Sequence, residues 1–430
     1  MPELNFQEHR NHLRAIHTAI HAAADPYLAV ARVLSRKPGQ LVFGDESVPL
    51  APHASIFLVA FGKAAGGMVD AAYEKLGGRL TAGVASIPIG SNLSHPGLEV
   101  HYGGHPLPDQ GSLAAGQAVG SLLARTQPGD IVLVLISGGG SAMLEWPLAG
   151  IALDDIRVLT DLLLRSGAPI EEINVVRKAI SRIKGGGIAR LAAPAQVVAL
   201  ILSDVVGDRL TAIASGTTVL RRVSPEIARQ VLKRYQIWEK VPQEIRTALT
   251  QAPGASSSAR RPINRLVGSN RLALNAAAEE ARRLGFSPRI VSANMHGEAR
   301  QIAARFARQL IRAEAGTCLL MGGETTVTIR GDGKGGRNQE FALAASFFLS
   351  KAPGRVVMAL ATDGVDGPTD AAGAIVSSNT CREAEIAGVK LSSALSQNDS
   401  YPALGALNAL IQTGPSGTNV NDIVVGLVYP

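Results

Sequence analysis

A chain of 430 residues is too long for one ordinary hydrophobic core, so two domains are expected. Aromatic residues make up 4% of the chain against 46% hydrophobic residues; its cores must therefore be built from Ala, Leu, Val and Ile, a mixture that suits alternating helices and buried parallel strands. The formal charge of +7 is modest and its Lys and Arg residues are scattered, which fits small anionic substrates and argues against nucleic acid.

Two cysteines, Cys318 and Cys381, cannot form a disulfide framework and have no metal-type spacing, so a reducing cytoplasm is the expected compartment. Glu3, Glu8, Arg10 and Arg14 interrupt the first short apolar stretches, which predicts no signal peptide. No run of eighteen apolar residues occurs, so no transmembrane helix and no membrane partner are expected. A monomer and a homodimer are both compatible with this composition.

Leu13, Ile16, Ile20 and Ala24 recur at helical spacing, and the helix should stop at Asp25-Pro26, where Asp25 can cap a second helix. A buried strand over 55–60 then runs into Gly62-Lys63-Ala64-Ala65, which places Lys63 at a strand's C-terminal end, where open α/β sheets bind ligands. Gly104-His105-Pro106-Leu107-Pro108-Asp109 reads as a rigid turn before a helix from about Ser112 to Arg125. His105 reads as a loop histidine.

The most apolar strand, 131–136, ends in Ser137, Gly138, Gly139, Gly140 and Ser141, a glycine nest suited to cradling phosphate. Asn174, Arg177, Lys178, Ser181 and Lys184 follow on a helix whose cationic face meets either the same ligand or water. Strand 197–202 delivers Asp204 to another C-terminal end. The small and turn-forming residues of 251–259 mark a linker, giving domains of 1–255 and 256–430.

Beyond the linker, strands near 266, at 290 and over 318–321 alternate with helices over 271–284 and 298–315. The stretch from Gly322 to Glu340 reads as a strand, a hairpin-like turn, a second strand, a glycine loop and a helix starting near Arg337. Gly335, Gly336 and Asn338 are candidates there for an anion held by backbone amides, with Arg337 as the guanidinium. Strand 356–361 leads into Asp363, Asp366 and Asp370. A last strand spans 423–427.

Phosphoryl transfer needs cations on the phosphates, a carboxylate-held Mg2+ and a group that orients the attacking hydroxyl. Lys63 and Arg337 are the cations here, and Asp204, Glu324 and Asp363 are acids in or beside strand ends. No Walker A motif and no protein-kinase motif set occurs, so a kinase would belong to another architecture. Gly331, Gly333 and Gly336 also satisfy G-x-G-x-x-G, which keeps a nicotinamide-dependent reductase open. A non-catalytic binding protein would not need acids and cations at several strand ends. A zinc hydrolase finds no H-E-x-x-H, since no glutamate follows His17.

Eight motifs occur in one order: Gly62-Lys63-Ala64-Ala65, the 104–109 turn, Ser137 to Ala142, Ser203-Asp204-Val205, Gly322-Gly323-Glu324-Thr325-Thr326-Val327, Gly335-Gly336-Arg337-Asn338-Gln339-Glu340, Ala361-Thr362-Asp363-Gly364 and Thr418-Asn419-Val420-Asn421-Asp422. Together, over nearly the whole chain, they resemble the type II glycerate kinases, whose C-terminal part is the MOFRL domain. That resemblance implies a larger Rossmann-like parallel-sheet N-terminal domain and a smaller α/β C-terminal domain, with an active site in the cleft between them. It implies transfer from ATP, with Mg2+, to the 2-hydroxyl of D-glycerate. It matches the family's proposed lysine and arginine to Lys63 and Arg337, and its acidic patch to Asp204, Glu324 and Asp363. On those positions Lys63 and Arg337 would neutralise the moving phosphoryl group or hold the glycerate carboxylate. Asp363 or Glu324 would hold Mg2+, and Asp204 would orient the 2-hydroxyl or act as its base. Some members carry the name hydroxypyruvate reductase, so an NAD(P)H-dependent reduction stays as the alternative. The chain departs from the pattern at Thr217 to Arg222, where a proline and an acid are missing, at Ala179, where relatives often have histidine, and at Ser416, which replaces a threonine.

Overall fold

The computed structural model describes residues 6–221, 223–251 and 259–430. Most of the 251–259 linker lies outside the described residues, as does Arg222. Two compact units form, one from Pro26–Val267 and one from Met1–Asp25 with Gly268–Pro430.

In the first unit a small antiparallel meander, β1 (Leu34–Lys37), β2 (Gln40–Phe43) and β3 (Glu46–Pro49), precedes the main sheet. That sheet contains β4 (Ile56–Phe61), β5 (Leu80–Ile87), β6 (Leu98–Tyr102), β7 (Ile131–Ile136), β8 (Gln196–Leu202) and β9 (Ile263–Gly268) in the order β6-β5-β4-β7-β8-β9. The pairings β5 with β6, β4 with β5, β4 with β7, and β7 with β8 are all parallel. Every residue of β4 and of β7 is buried, as expected of central strands covered on both faces, and this explains their unbroken apolar runs. The chain moves outward from β4 through β5 to β6, then returns to the other side of β4 with β7 and β8. The order therefore reverses between β4 and β7, the point at which an open α/β sheet forms its crevice. Helices over Leu153–Arg165, Ile170–Ala179, Pro225–Arg234 and Gln243–Thr250 gather a separate apolar cluster around Leu159, Leu163, Val176, Leu232 and Ile245.

The second unit has β10 (Ser287–Met295), β11 (Thr317–Gly323), β12 (Arg355–Ala361), β13 (Gly373–Ser377), β14 (Leu410–Ile411) and β15 (Asp422–Val428), ordered β10-β11-β15-β12-β13-β14. Only β10 and β11 pair in parallel; β15 is antiparallel to both of its neighbours. The helix Arg337–Leu349 packs over this sheet with Phe341, Leu343 and Leu349 buried.

Two expectations differ from this architecture. The division into 1–255 and 256–430 does not follow the compact units: β9 returns beyond the linker to the first sheet, and the helix Phe6–Ala24 packs on the helix Asn270–Arg283, with Leu13, Ile16 and Ile20 wholly buried. The second strand expected after Thr326 is also missing. Thr326 makes one isolated bridge to Glu298, and side chains satisfy the following backbone: Glu298 accepts from Thr328 N–H, and Asn398 Oδ1 accepts from Arg330 N–H at 2.6 Å. No strand partner is then needed. Among the described residues no helix is long and apolar enough to cross a membrane.

Candidate active site

In the first unit the loops that follow β4, β6, β7 and β8 all leave the C-terminal ends of parallel strands, so one end of the sheet collects residues 61–64, 103–109, 137–141 and 203–208. Two hydrogen bonds join the β4 and β7 loops: Lys63 N–H donates to Gly138 O at 2.8 Å, and Ala64 N–H to Ser137 Oγ at 3.0 Å. Gly62 adopts φ +119°, and a Cβ there would lie 2.4 Å from Ser137 Oγ. The glycine thus permits both the left-handed backbone and the close approach.

The five members of the β7 nest have different parts. Ser137 is fully buried and its hydroxyl is spent on Ala64, so it holds the two loops together. Gly140 abuts Phe61. Ser141 Oγ meets Ser215 Oγ at 2.7 Å, and Ser215 donates to Asn174 Oδ1 at 3.0 Å. Gly138 and Gly139 keep backbone N–H groups without a protein acceptor among the described residues. The Ser141 N–H likewise has no protein acceptor among the described residues, so these are three free donors of the nest, and Gly139, at φ +78°, turns the chain into the short helix Gly140–Met143.

Around those amides stand Lys63, His105 and Asp204. A Cβ on Gly139 would lie 3.0 Å from His105 Cδ2 and 3.3 Å from Lys63 Cε, and one on Gly138 would lie 2.2 Å from Asp204 Oδ2. Lys63 is exposed and, among the described residues, no carboxylate pairs with it. Burial raises the Asp204 pKa above the usual carboxylate value, opposed by its own backbone N–H and by the Lys63 charge. Partial burial and then the same charge lower that of His105. The candidates Lys63, Asp204, Gly138 and Gly139 therefore come together, and His105, read from sequence as an ordinary loop histidine, joins them.

The cationic residues expected on one helix divide instead: the helix ends at Ala179, so Asn174, Arg177 and Lys178 lie on it, while Ser181 and Lys184 follow beyond its end. Lys184 is completely buried and pairs with Glu145 at 2.7 Å, while Ser181 Oγ donates to the other Glu145 oxygen at 2.8 Å. Arg177 donates to Ser141 O at 2.9 Å. Lys178 donates to Thr211 O at 2.7 Å. Arg177 and Lys184 thus point under the glycine loop, toward neither ligand nor water. Burial lowers the Lys184 pKa to about 8, offset in part by Glu145 and assisted by Arg177.

In the second unit Asp422 opens β15 and pairs across the sheet with Gly323 at the end of β11 and with Ala361 at the end of β12. Glu324 and Asp363 therefore emerge on either side of it. Arg337 Nε and Nη2 donate to the two Asp422 oxygens at 2.6 and 2.9 Å, and its Nη1 lies 3.3 Å from Glu324. Burial disfavours the Arg337 charge, but Asp422, Glu324 and Asp366 more than offset it and raise its pKa. Asp422 is fully buried, and burial raises its own pKa against the pull of Arg337. Asn421 Nδ2 donates to Glu324 and Asn419 Nδ2 to Asp363, each at 3.4 Å, so two asparagines flanking Val420 tether the two carboxylates.

The glycine loop before Arg337 is largely filled by protein. Gly333 N–H donates to Gln397 O, Lys334 N–H to Asp399 Oδ1 and Gly331 N–H to Asn398 Oδ1. A Cβ on Gly331 or Gly333 would strike residues 397–399. A dinucleotide pyrophosphate needs these amides and this space, so the G-x-G-x-x-G pattern has a packing explanation. Asn338 is 1% exposed; its backbone N–H and Nδ2 both donate to Asp366, which also accepts from Gln339 N–H at 2.9 Å. The Asp366 carboxylate therefore sits where an anion was expected at the helix N-terminus. Burial raises its pKa to about 6, opposed by those amides and assisted by Asp422. Gly335 and Gly336 retain amides without a protein acceptor among the described residues. Asn338 is held by the protein instead.

Among the described residues no three His, Cys, Asp or Glu side chains form a metal cluster. Mg2+ commonly takes one or two carboxylates and completes its shell with phosphate and water. Glu324, with a side chain 47% exposed, and Asp363, partly exposed, retain oxygen lone pairs for such a site. Sequence reasoning missed the parts played by Asp366, Asn419, Asn421 and Asp422. For the last three the local signal was the stretch 418–422, rich in Asn, Thr and Asp, that leads into the apolar run 423–428; for Asp366 it was only its place among the acids after strand 356–361.

Residues 12–250 match the family described as "Domain of unknown function (DUF4147)", and residues 317–422 match the MOFRL family. A glycerate 2-kinase of Pyrococcus horikoshii is 41% identical over 97% of this chain and 96% of its own length. A D-glycerate 2-kinase of Thermotoga maritima is 40% identical over 91% of this chain and 96% of its own. A crystal structure of a glycerate kinase from Thermotoga maritima superposes with a TM-score of 0.88 at 36% identity, covering 98% of this chain and 100% of the other. A relative named putative hydroxypyruvate reductase, from Agrobacterium vitis, is 37% identical over 96% of this chain and 93% of its own length.

Proposed function

The chain belongs to the family of glycerate kinases in which a DUF4147 region is followed by a MOFRL region, and we propose that it transfers the γ-phosphoryl group of ATP to the 2-hydroxyl of D-glycerate, giving 2-phosphoglycerate. The observation that carries this reading is the convergence of an unpaired Lys63, the free Gly138 and Gly139 amides and Asp204 at the point where the strand order reverses. An anionic group held there meets two oriented dipoles and an ammonium. Lys63 neutralises charge on phosphate or on the glycerate carboxylate, and Asp204 orients the 2-hydroxyl.

In the second unit three carboxylates, Asp422, Glu324 and Asp366, act on one guanidinium, Arg337, and a fourth, Asp363, follows the end of the strand that pairs with Asp422. Such an excess of acid suits a divalent cation. Asp363 and Glu324 would hold Mg2+, which when bound spreads the charge of the phosphate oxygens. Arg337, gripped from behind by Asp422, turns its Nη1 toward Glu324, where a phosphoryl or carboxylate oxygen could share that guanidinium edge once Glu324 turns to a cation, and the Gly335 and Gly336 amides are available to phosphate. Both cysteines are free thiols, one of them buried, which suits a cytoplasmic enzyme. The filled glycine loop at 331–334 speaks against the hydroxypyruvate reductase alternative.

The test is a coupled assay with D-glycerate, ATP and Mg2+, read through enolase with no phosphoglycerate mutase present. Enolase accepts 2-phosphoglycerate directly, so signal establishes the transfer and its position. Signal that requires mutase would mean that the 3-hydroxyl is attacked. Silence in both arms, with NADH or NADPH consumed on hydroxypyruvate, would replace the kinase reading with the reductase.

A further inference from the structure

We propose that His105 is the proton acceptor of this reaction, its imidazole taking the proton of the substrate hydroxyl over the Gly138-Gly139 amides. The inference rests on the kinase reading above and adds to it the group that removes the proton, a task open between Asp204 and other residues on sequence grounds.

Position comes first. The His105 ring and the Lys63 side chain both close on Gly139: the point where its Cβ would stand is 3.0 Å from His105 Cδ2, 3.2 Å from Lys63 Cγ and 3.3 Å from Lys63 Cε. A ligand oxygen held by Lys63 and the nest amides is therefore within the neighbourhood of the imidazole. The loop that carries the ring is anchored on both sides of it. Gly103 N–H donates to Ile87 O at 3.0 Å and Gly104 N–H to Ser112 Oγ at 3.0 Å. Asp109 caps the helix Gln110–Leu123, and Arg157 Nε donates to Pro108 O at 3.2 Å.

Against that ordered backbone the side chain itself is unengaged. The residue is exposed, and neither ring nitrogen has a hydrogen-bond partner among the described residues. A structural histidine normally spends at least one ring nitrogen on the protein. The charged and titratable groups around the site are Lys63 on the β4 loop, Asp204 on the β8 loop, Asp109 on its own loop and Arg157 beyond it. Asp204 presses on Gly138 from the β8 side and faces Lys63, which makes it the counter-charge and orienting group. Asp109 is committed to Ser112. Lys63 is a cation. The imidazole, kept neutral near pH 7 by partial burial and the Lys63 charge, is the remaining free base.

The step balances as follows. The O–H bond of the 2-hydroxyl breaks and its proton passes to a His105 ring nitrogen. The hydroxyl oxygen bonds to the γ-phosphorus, the bond from that phosphorus to the β–γ bridging oxygen breaks, and ADP leaves with that electron pair. The imidazolium then releases its proton to water.

The experiment compares wild type with His105→Asn and His105→Gln in the enolase-coupled assay from pH 5 to 9. The expected result is a kcat lower by about 100-fold or more, with KM for D-glycerate within about threefold and the thermal midpoint unchanged. The acid limb of kcat/KM, set in wild type below the ordinary histidine value of about 6.5, should vanish in both variants. Added imidazole should restore activity to His105→Ala by about tenfold, which no purely structural role would produce. Either variant retaining kcat within about threefold, or losing activity while the acid limb persists, overturns the assignment. A wild type inactive on D-glycerate would fail the kinase reading itself, and this inference with it. An active wild type with active variants would fail this inference alone.

Discussion

Replacing Lys184 by methionine removes the ammonium from beneath the glycine loop and leaves the Glu145 carboxylate, 2% exposed, with only the Ser181 hydroxyl at 2.8 Å and the Trp146 N–H at 3.1 Å. Breaking one side of a buried ion pair costs about 3–5 kcal/mol, because the surviving charge is desolvated without its partner. At roughly 2–4 °C per kcal/mol for a unit of this size, the midpoint should fall by about 6–20 °C. Both tryptophans, Trp146 and Trp238, lie in the Pro26–Val267 unit, so their fluorescence follows the unfolding of that unit alone. The double variant Glu145→Gln with Lys184→Met removes both charges and should recover about half or more of the loss. A single variant within about 1 kcal/mol of wild type, or a double variant no more stable than the single, would show that the pair is not what holds this layer together.

Lys63→Ala should lower kcat/KM by about 100-fold or more in the coupled assay; a loss of less than about threefold, under about 1 kcal/mol of transition-state stabilisation, would remove it from the site. Asp366→Ala leaves the Asn338 and Gln339 N–H groups without their acceptor and should cost about 1–2 kcal/mol in urea unfolding. The folded Asp366 carboxyl, near 6, lies above its reference value of 3.8. The folded state thus binds more protons between those values, and this group's contribution is full below about pH 4 and lost as pH rises through about 6. Unfolding measured at half-unit steps should show that slope in wild type and not in Asp366→Asn. Gly333→Ala drives a methyl group to within 2.5 Å of Asp399 Cβ and Gln397 O. It should destabilise the protein by about 1–3 kcal/mol while leaving KM for ATP within about twofold; a large rise in that KM at unchanged stability would mean that the loop binds nucleotide after all.

Much of the first unit was legible because its information is local. β4 and β7 are unbroken apolar runs, and each ends in glycine with Lys63 or Ser137 alongside, so strand, turn and candidate residue are read from one window. The direction of Arg177 and Lys184 was not legible, since their partners Ser141 and Glu145 lie more than thirty residues away and a cationic helix face looks the same whether it meets solvent or a buried acid. The second unit was harder for a topological reason. Asp422 acquires meaning only from the insertion of β15 between β11 and β12, and no stretch of sequence near it encodes that order. Asn338 likewise reads as a candidate for binding an anion at the helix start, because nothing local announces that Asp366 folds back onto it. The glycines at 331 and 333 read as a dinucleotide-binding turn because glycine permits any close approach, whether of a pyrophosphate or of protein. What approaches them is the 397–399 backbone.

The position of β15 also governs the order of events on the ribosome. Of the six strands in its sheet it is translated last, yet β11 and β12 are both its neighbours and do not pair with each other. The helix Phe6–Ala24, made well before Asn270–Arg283, waits for it before it can bury Leu13, Ile16 and Ile20. The continuous stretch between them can collapse meanwhile around β4 and β7. The unit that holds Arg337 and its acids therefore gains its central strand only when Asp422 and the residues after it clear the exit tunnel. A chain that stops before Asp422 would lose both the sheet's middle and the carboxylate that aims Arg337.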